Sequence, residues 1–151
     1  MKQEDKKLLL KDLCARLPYG VKVNYNEEVC TIDSIGNDSE LLLKNNDGEI
    51  VPKWGDSLFI SIEKCKPYLF PLSSMTEEQL NDFYATIRPV IEEALDAYKD
   101  DKTEYKGERP ITLKDIKTDI VAVNWMLKNH FDMNGLIPKG LAIDATGLNI
   151  Y

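Results

Sequence analysis

The sequence predicts an α+β protein: an N-terminal helix, a small antiparallel SH3-like barrel or sheet, two longer helices and a packed C-terminal tail. Three observations support this class. Apolar residues recur at helical spacing near the start and in the second half, they alternate with a period of two across residues 21–63, and turn-forming residues separate the alternating runs. We expect one lobe at residues 1–72 and another at 73–151, packed as one compact unit.

The composition is typical of a soluble protein with a core, since 43% of the 151 residues are hydrophobic and 30% are charged. No apolar run reaches the roughly 20 residues that a membrane-spanning helix needs. The start, MKQEDKKLLL, is too charged for a signal peptide. We therefore expect a cytoplasmic protein that does not contact a membrane.

The first helix is predicted over residues 4–17 and ends at Pro18, because the residue before a proline is displaced from helical geometry. No paired spacing links the three cysteines, Cys14, Cys30 and Cys65, which argues against a disulfide framework or a zinc site. We expect Cys14 and Cys30 to be small buried residues. The predicted apolar face of the helix consists of Leu9, Leu10, Leu13, Cys14 and Leu17.

Residues 21–63 alternate between apolar and polar side chains and predict five short strands. The run NNDG at residues 45–48 predicts a hairpin turn, since Asp-Gly tolerates positive φ. Residues 64–75 contain Pro67 and Pro71, which predict an extended connector outside the interior of helices and sheets. Its apolar side chains are expected to pack against the rest of the protein.

The second helix is predicted over residues 76–99 and begins with the capping box TEEQ. Its apolar stripe continues in phase through Pro89, which favours one kinked helix over two helices that break at Arg88. Residues 100–111 predict an exposed loop. The stripe consists of Leu80, Tyr84, Ile87, Ile91, Leu95 and Tyr98.

Thr112 and Asp115 give the third helix the [ST]-x-x-[DE] start. One apolar stripe follows, and Val121 with Trp125 forms a second stripe beside it, so a broad buried face is expected. Beyond His130, turn signals alternate with short apolar pieces and predict a tail that packs back, with only the last few residues loose. The first stripe consists of Leu113, Ile116, Ile120, Val123 and Leu127.

The net charge of −7 is concentrated in residues 76–101, which carry 2 basic and 8 acidic residues. Phosphate contacts require clustered Lys and Arg, so the charge does not favour a nucleic-acid partner. The acidic face that includes Glu92, Glu93 and Asp96 is instead a candidate surface for a basic protein partner, or a mimic of phosphates. The alternative is a solvated helix surface.

Trp54 is a second candidate for partner binding, because it lies in a predicted barrel loop. Exposed aromatic side chains in such loops contact peptides or bases. The alternative is a tryptophan folded over the end of the barrel.

His130, Asp132 and Asp144 combine an imidazole with two carboxylates and are candidates for a metal or acid–base site. The alternative is a histidine that caps a helix and an aspartate that starts a turn. The sequence contains no phosphate-binding glycine motif, nucleophile elbow or His-Glu-x-x-His motif. We therefore assign no catalytic residue and expect no cofactor.

Several short blocks of the sequence are distinctive: residues 11–21 (KDLCARLPYGV), 66–69 (KPYL), 73–78 (SSMTEE), 130–132 (HFD), 135–137 (GLI) and 139–142 (KGLA). Together they resemble a family of short, uncharacterised proteins encoded by gut Bacteroides, often in prophage-like or mobile regions. The resemblance brings no activity and no catalytic residues. It implies a bacterial or phage cytoplasmic setting.

These observations rank three functions. The first is a non-enzymatic protein-interaction or accessory protein of phage or mobile-element origin. The second is a nucleic-acid-associated accessory protein that uses the barrel lobe. The third is a small metal-dependent hydrolase at His130, Asp132 and Asp144.

Overall fold

The structure, a computed structural model, describes residues 1–51, 58–99 and 113–151, with side chains except at 94–99 and 113–116. The described residues form an α+β fold with three α-helices and one seven-stranded sheet. None of the helices in these ranges combines the length and apolar character needed to cross a membrane.

Helix α1 spans Gln3–Arg16 and continues into a 3-10 turn at Leu17–Tyr19 that contains Pro18. The prediction of a buried Cys14 is wrong, since this residue is exposed. The buried line of α1 passes through two charged residues instead, and it has the i, i+3, i+4, i+7 spacing of one helix face. It consists of Leu9, Asp12, Leu13 and Arg16.

All five strands predicted for residues 21–63 are present and pair antiparallel. The hairpin turn at 45–48 is also present, because Gly48 adopts a φ of +80° and the Asn45 side chain accepts the backbone N–H groups of Asp47 and Glu49. The strands are β1 (Lys22–Tyr25), β2 (Glu28–Ile35), β3 (Glu40–Lys44), β4 (Ile50–Val51) and β5 (Ile60–Ser61).

The connector at 64–75 differs from its prediction, because Lys66–Leu69 forms a strand, β6, that pairs antiparallel with β1. On its other side β6 pairs in parallel with β7 (Ile143–Asp144). Pro67 is tolerated inside the sheet because it lies near the start of β6, before the two residues that pair with β7. The expected packing of this segment is confirmed for Tyr68 and Leu69, which are buried, and is wrong for Leu72, which is 49% exposed.

The sheet order is β4-β3-β2-β1-β6-β7, and β5 pairs with β3 at Glu40 and Leu41, away from the residues that pair with β4. Inward-facing residues of the strands pack against α1 and the tail. Together they form a hydrophobic core that includes Leu9, Leu13, Val21, Val23, Cys30, Ile32, Leu41, Leu43, Leu69 and Leu136.

The chain divides into two compact units, residues 1–74 with 127–151, and residues 75–126. The boundary near residue 74 lies close to the predicted one, but the tail belongs to the unit of the sheet and not to the helical lobe. The reason is backbone pairing: Phe70 N–H donates to His130 O at 2.9 Å, and Asp132 N–H donates to Phe70 O at 2.8 Å. Residues Leu136, Leu141 and Ala142 are buried in the same unit.

Helix α2 spans Glu77–Lys99 as one helix with Pro89 inside it, and α3 spans Leu113–Lys128. The capping box is confirmed, since Thr76 N–H donates to Gln79 Oε1 at 2.9 Å and Gln79 N–H donates to Thr76 Oγ1 at 3.2 Å. The loop predicted at 100–111 and the helix start at Thr112 lie outside the described residues.

Candidate functional site

His130 follows the end of α3 and adopts a left-handed backbone with φ of +59°. Its imidazole stacks on the Tyr151 ring, with centroids 3.8 Å apart and an interplanar angle of 11°. The ring nitrogen Nδ1 is buried and has no hydrogen-bond partner among the described residues. Burial, and then the nearby Arg16 guanidinium, lower the pKa of His130 to about 4. The imidazole is therefore neutral at pH 7.

Asp132 is committed to the backbone of the turn that follows it. One carboxylate oxygen accepts the Leu136 N–H at 2.9 Å, and the other accepts the Ile137 N–H at 2.8 Å. The side chain is buried. This bonding closes a turn in the way that aspartate commonly does, and it uses the carboxylate that a metal would need.

Asp144 lies at the end of β7 and is exposed. Its Oδ1 accepts the Thr146 N–H at 2.9 Å, and hydrogen bonds from Thr146 lower the pKa of Asp144. Asp132 and Asp144 thus bond to separate backbone groups, and His130 stacks on Tyr151. Within the described ranges, no group of three His, Cys, Asp or Glu residues could hold a metal ion. The metal-site hypothesis gains no support from the structure.

The same unit contains a buried ion pair that the sequence did not single out. Arg16 Nε donates to Asp12 Oδ2 at 2.7 Å, and Arg16 Nη2 donates to Asp12 Oδ1 at 3.1 Å. Arg16 is 0% exposed and Asp12 is 1% exposed. In the sequence, the signal for this ion pair was the spacing of four residues, because an aspartate and an arginine at i and i+4 meet on one helix face.

This ion pair connects α1 to the tail. Arg16 Nη2 donates to Phe131 O at 2.7 Å, and the Asn134 side-chain amide donates to Asp12 Oδ1 at 2.8 Å. The Arg16 Nη1 atom is buried and makes no hydrogen bond to the part of the chain that the structure describes. These contacts are structural, since a buried guanidinium requires partners on most of its N–H groups.

Tyr151 completes this part of the tail, contrary to the expectation of loose final residues. Its hydroxyl donates to Tyr68 O at 2.8 Å and accepts the Lys22 N–H at 3.3 Å. Although the residue as a whole is partly exposed, burial of the phenol raises the pKa of Tyr151 to about 12. The tail is therefore fixed through its last side chain to both β1 and β6.

Among the predicted partner-binding residues, the structure describes the side chains of Glu92 and Glu93. Trp54 lies outside the described residues, and so does the side chain of Asp96, although Asp96 belongs to α2. Glu93 is exposed and pairs with Lys117 Nζ of α3 at 2.8 Å. Glu92 is exposed and lies beside apolar residues of α2. The two neighbouring glutamates thus occupy different faces of the helix.

The apolar stripe of α2 is largely exposed over its described length. We call Leu80, Tyr84, Ile87 and Ile91 the α2 stripe. Tyr84 is 51% exposed, Leu80 39% and Ile91 38%. A concavity of about 290 Å³ lies on this face and is lined by Tyr84, Ile87, Arg88, Ile91 and Glu92.

A different face of α2 packs against α3. The Phe83 and Trp125 rings meet edge to face with centroids 5.1 Å apart, and Trp125 Nε1 donates to Asp82 Oδ2 at 2.7 Å. The first stripe predicted for α3 is buried only in part over its described residues, since Ile120 is 53% exposed and Val123 44%, whereas Leu127 is buried. Trp125, from the second stripe, makes the contact with α2, because its large ring packs against Phe83 and its N–H bonds to Asp82.

Comparison of the chain with protein-family models, with curated proteins and with solved structures finds no match.

Proposed function

We propose that this chain is a non-enzymatic interaction protein of phage or mobile-element origin, and that it binds a protein partner through the α2 stripe. The observation that supports this function is the exposure of Tyr84 and Ile91 on one face of a helix whose other face already packs against α3. The phage or mobile-element setting rests on the resemblance of blocks such as residues 11–21 to Bacteroides proteins.

Contiguous exposed apolar surface is a recurrent sign of a partner site, whereas single exposed apolar residues are ordinary. The α2 stripe is contiguous, because residues spaced by three and four positions are neighbours on a helix surface. Leu80, Tyr84, Ile87 and Ile91 span three helical turns. Interface cores are enriched in aromatic residues, and Tyr84 supplies an aromatic ring near the centre of the stripe.

The contacts of Glu92 and Glu93 narrow the acidic surface that the sequence predicts for partner binding. Glu93 already pairs with Lys117, so its charge is in part compensated within the chain. Glu92 lines the concavity beside Ile91. Glu92 is therefore the acidic residue best placed to meet a partner that covers the stripe.

We also infer that the strands β1 to β6 form an SH3-like barrel. The supporting observations are the meander β1 to β4, the 3-10 turn at Ile62–Lys64 and the return of β6 to pair with β1. This order of elements is that of small five-stranded barrels with a final strand beside the first. Partner binding through Trp54 stays a prediction.

The experiment is affinity capture of the tagged chain from a Bacteroides lysate, with and without nuclease, read by mass spectrometry. The test variant is Tyr84→Gln/Ile91→Gln, and the matched control is Ile120→Gln/Val123→Gln, which removes two apolar residues of α3 that are at least as exposed. Glutamine is chosen because it is a good helix former.

The expected result is a stoichiometric protein that survives nuclease, is retained by the control variant and is lost with the test variant. Partners that disappear with nuclease would favour the nucleic-acid function. Equal capture by the two variants would contradict binding through the α2 stripe.

A further inference from the structure

The border of the α2 stripe carries charge that limits what can cover it. Arg88 and Glu92 lie next to Tyr84 and Ile91 around the helix, and all four line the same concavity. Between residues 77 and 93, α2 contains five acidic residues and one basic residue, Arg88. A partner that covers the stripe therefore meets a predominantly acidic rim.

The acidic residues do not contribute equally to this rim. Asp82 accepts the Trp125 indole N–H, and Glu93 pairs with Lys117, so both are directed to α3. Glu77 and Glu92 lie on the turns at either end of the stripe, since a helix turns by about 100° per residue. The part of the rim that a partner would meet is thus acidic at both ends.

We propose that the α2 stripe binds a basic amphipathic helix of a partner protein. Apolar side chains of that helix, spaced by three and four residues, would pack along Tyr84, Ile87 and Ile91. Lysine or arginine side chains beside its apolar face would lie near Glu77 and Glu92. This inference rests on the proposed function and adds the chemical class of the partner.

A second copy of this chain fits the same surface less well. Two α2 helices would bring the same acidic rim to both sides of the contact, and each copy offers Arg88 as the single basic residue between residues 77 and 93. Like charges opposed across an interface are unfavourable. The whole chain carries a net charge of −7, which adds to the repulsion between copies.

The probe is a synthetic, fluorescein-labelled amphipathic helix with leucine on one face and lysine on the other. A matched peptide carries glutamate in place of every lysine. Fluorescence anisotropy follows the titration of each peptide with the full chain. We expect the lysine peptide to bind at least about tenfold more tightly than the glutamate peptide, and to weaken as salt increases.

Two pairs of variants separate specific docking from general attraction to an acidic protein. Tyr84→Gln/Ile91→Gln keeps the charge, so attraction by charge alone would not change; we expect the affinity for the lysine peptide to fall about tenfold. Ile120→Gln/Val123→Gln should leave it unchanged. Glu92→Gln should weaken binding about threefold, whereas Glu93→Gln, which removes the same charge from another face, should have less effect.

The proposal is overturned if the two peptides bind alike, or if Tyr84→Gln/Ile91→Gln binds the lysine peptide as wild type does. It is also overturned if sedimentation shows a wild-type dimer that this variant dissociates. If no peptide binds but lysate capture still yields a nuclease-resistant protein lost with Tyr84→Gln/Ile91→Gln, the partner class is wrong and the proposed function stands. If both experiments fail, the proposed function is wrong as well.

Discussion

Helices α1 and α2 use their amphipathic faces in opposite ways. Helix α1 buries two charged residues, Asp12 and Arg16, along with its leucines. Helix α2 leaves Tyr84 and Ile91 of its apolar stripe exposed and directs Asp82 to the Trp125 indole. The two faces also differ in what they contribute to stability. Loss of a partner from a buried charge is costly, whereas an exposed apolar residue contributes little to the stability of the free protein.

The difference shows that an apolar stripe identifies a helix face but does not identify what covers it. In α1 the charged positions belong to the buried stripe and can be recognised only by their spacing with Leu9 and Leu13. In α2 the stripe is free of tertiary burial over much of its described length. We interpret the α1 face as structural and the α2 face as functional, and the following variants test the two assignments.

The largest expected effect is that of Arg16→Met, which leaves Asp12 buried without its cation. We expect a loss of about 3–5 kcal/mol in the free energy of unfolding, because an uncompensated buried charge is costly. Urea denaturation measures it. The double variant Asp12→Leu/Arg16→Met should recover part of the loss, since neither charge is then buried.

The control for this pair is Lys44→Met, which breaks the exposed pair of Lys44 with Asp33. Exposed ion pairs contribute about 0–1 kcal/mol, so this variant should stay close to wild type. An equal loss for Arg16→Met and Lys44→Met would contradict the structural role of the buried pair.

A second prediction concerns pH and His130. The ordinary pKa of 6.5 is lowered to about 4 in the folded protein, so between these values the unfolded chain binds more protons than the folded one. The contribution of His130 to the free energy of unfolding is therefore fully present above pH 6.5. It is lost as the pH falls toward 4, and the loss is about 3 kcal/mol in all. Urea denaturation at several pH values should show this loss in wild type.

The comparison variant is His130→Asn, because asparagine tolerates the positive φ at this position. Its free energy of unfolding should depend less on pH than that of wild type between pH 6.5 and 4. Parallel pH profiles for the two proteins would show that His130 is not the group that titrates.

A smaller effect is expected for Tyr151→Phe, which removes the hydroxyl that bonds to Tyr68 O and Lys22 N–H. The ring can still stack on His130, so only the two hydrogen bonds are lost, at about 1 kcal/mol each. Thermal and urea denaturation measure the change. A stability equal to that of wild type would mean that the tail is not fixed through this hydroxyl.

Periodicity predicted most of the fold. The alternation in residues 21–63 gave all five strands, and the capping box TEEQ gave the start of α2. Strand β6 was missed because Pro67 argues against a strand. The proline is tolerated because it pairs with β1 alone and precedes the two residues that pair with β7. Sequence patterns report local preference, whereas these outcomes depend on residues more than 40 positions apart in the chain.

The candidate sites were less predictable for the same reason. The sequence placed His130, Asp132 and Asp144 in one hypothesis, but Leu136 and Thr146 backbone groups bond to the two carboxylates. Glu92 and Glu93 are adjacent in sequence, yet their contacts differ because one faces Lys117. The contacts of two such neighbours differ because a different part of the molecule packs against each face of the helix.

Urea denaturation of Tyr84→Gln/Ile91→Gln beside wild type tests most directly whether the α2 stripe is a free surface. If the α2 stripe is exposed in the folded protein, the free energy of unfolding should change by less than about 1 kcal/mol, since substitutions of exposed residues are each within about 0.5 kcal/mol. A loss of about 3 kcal/mol or more would show that these residues are buried in the folded protein. The stripe would then be part of the core and not a surface for a partner.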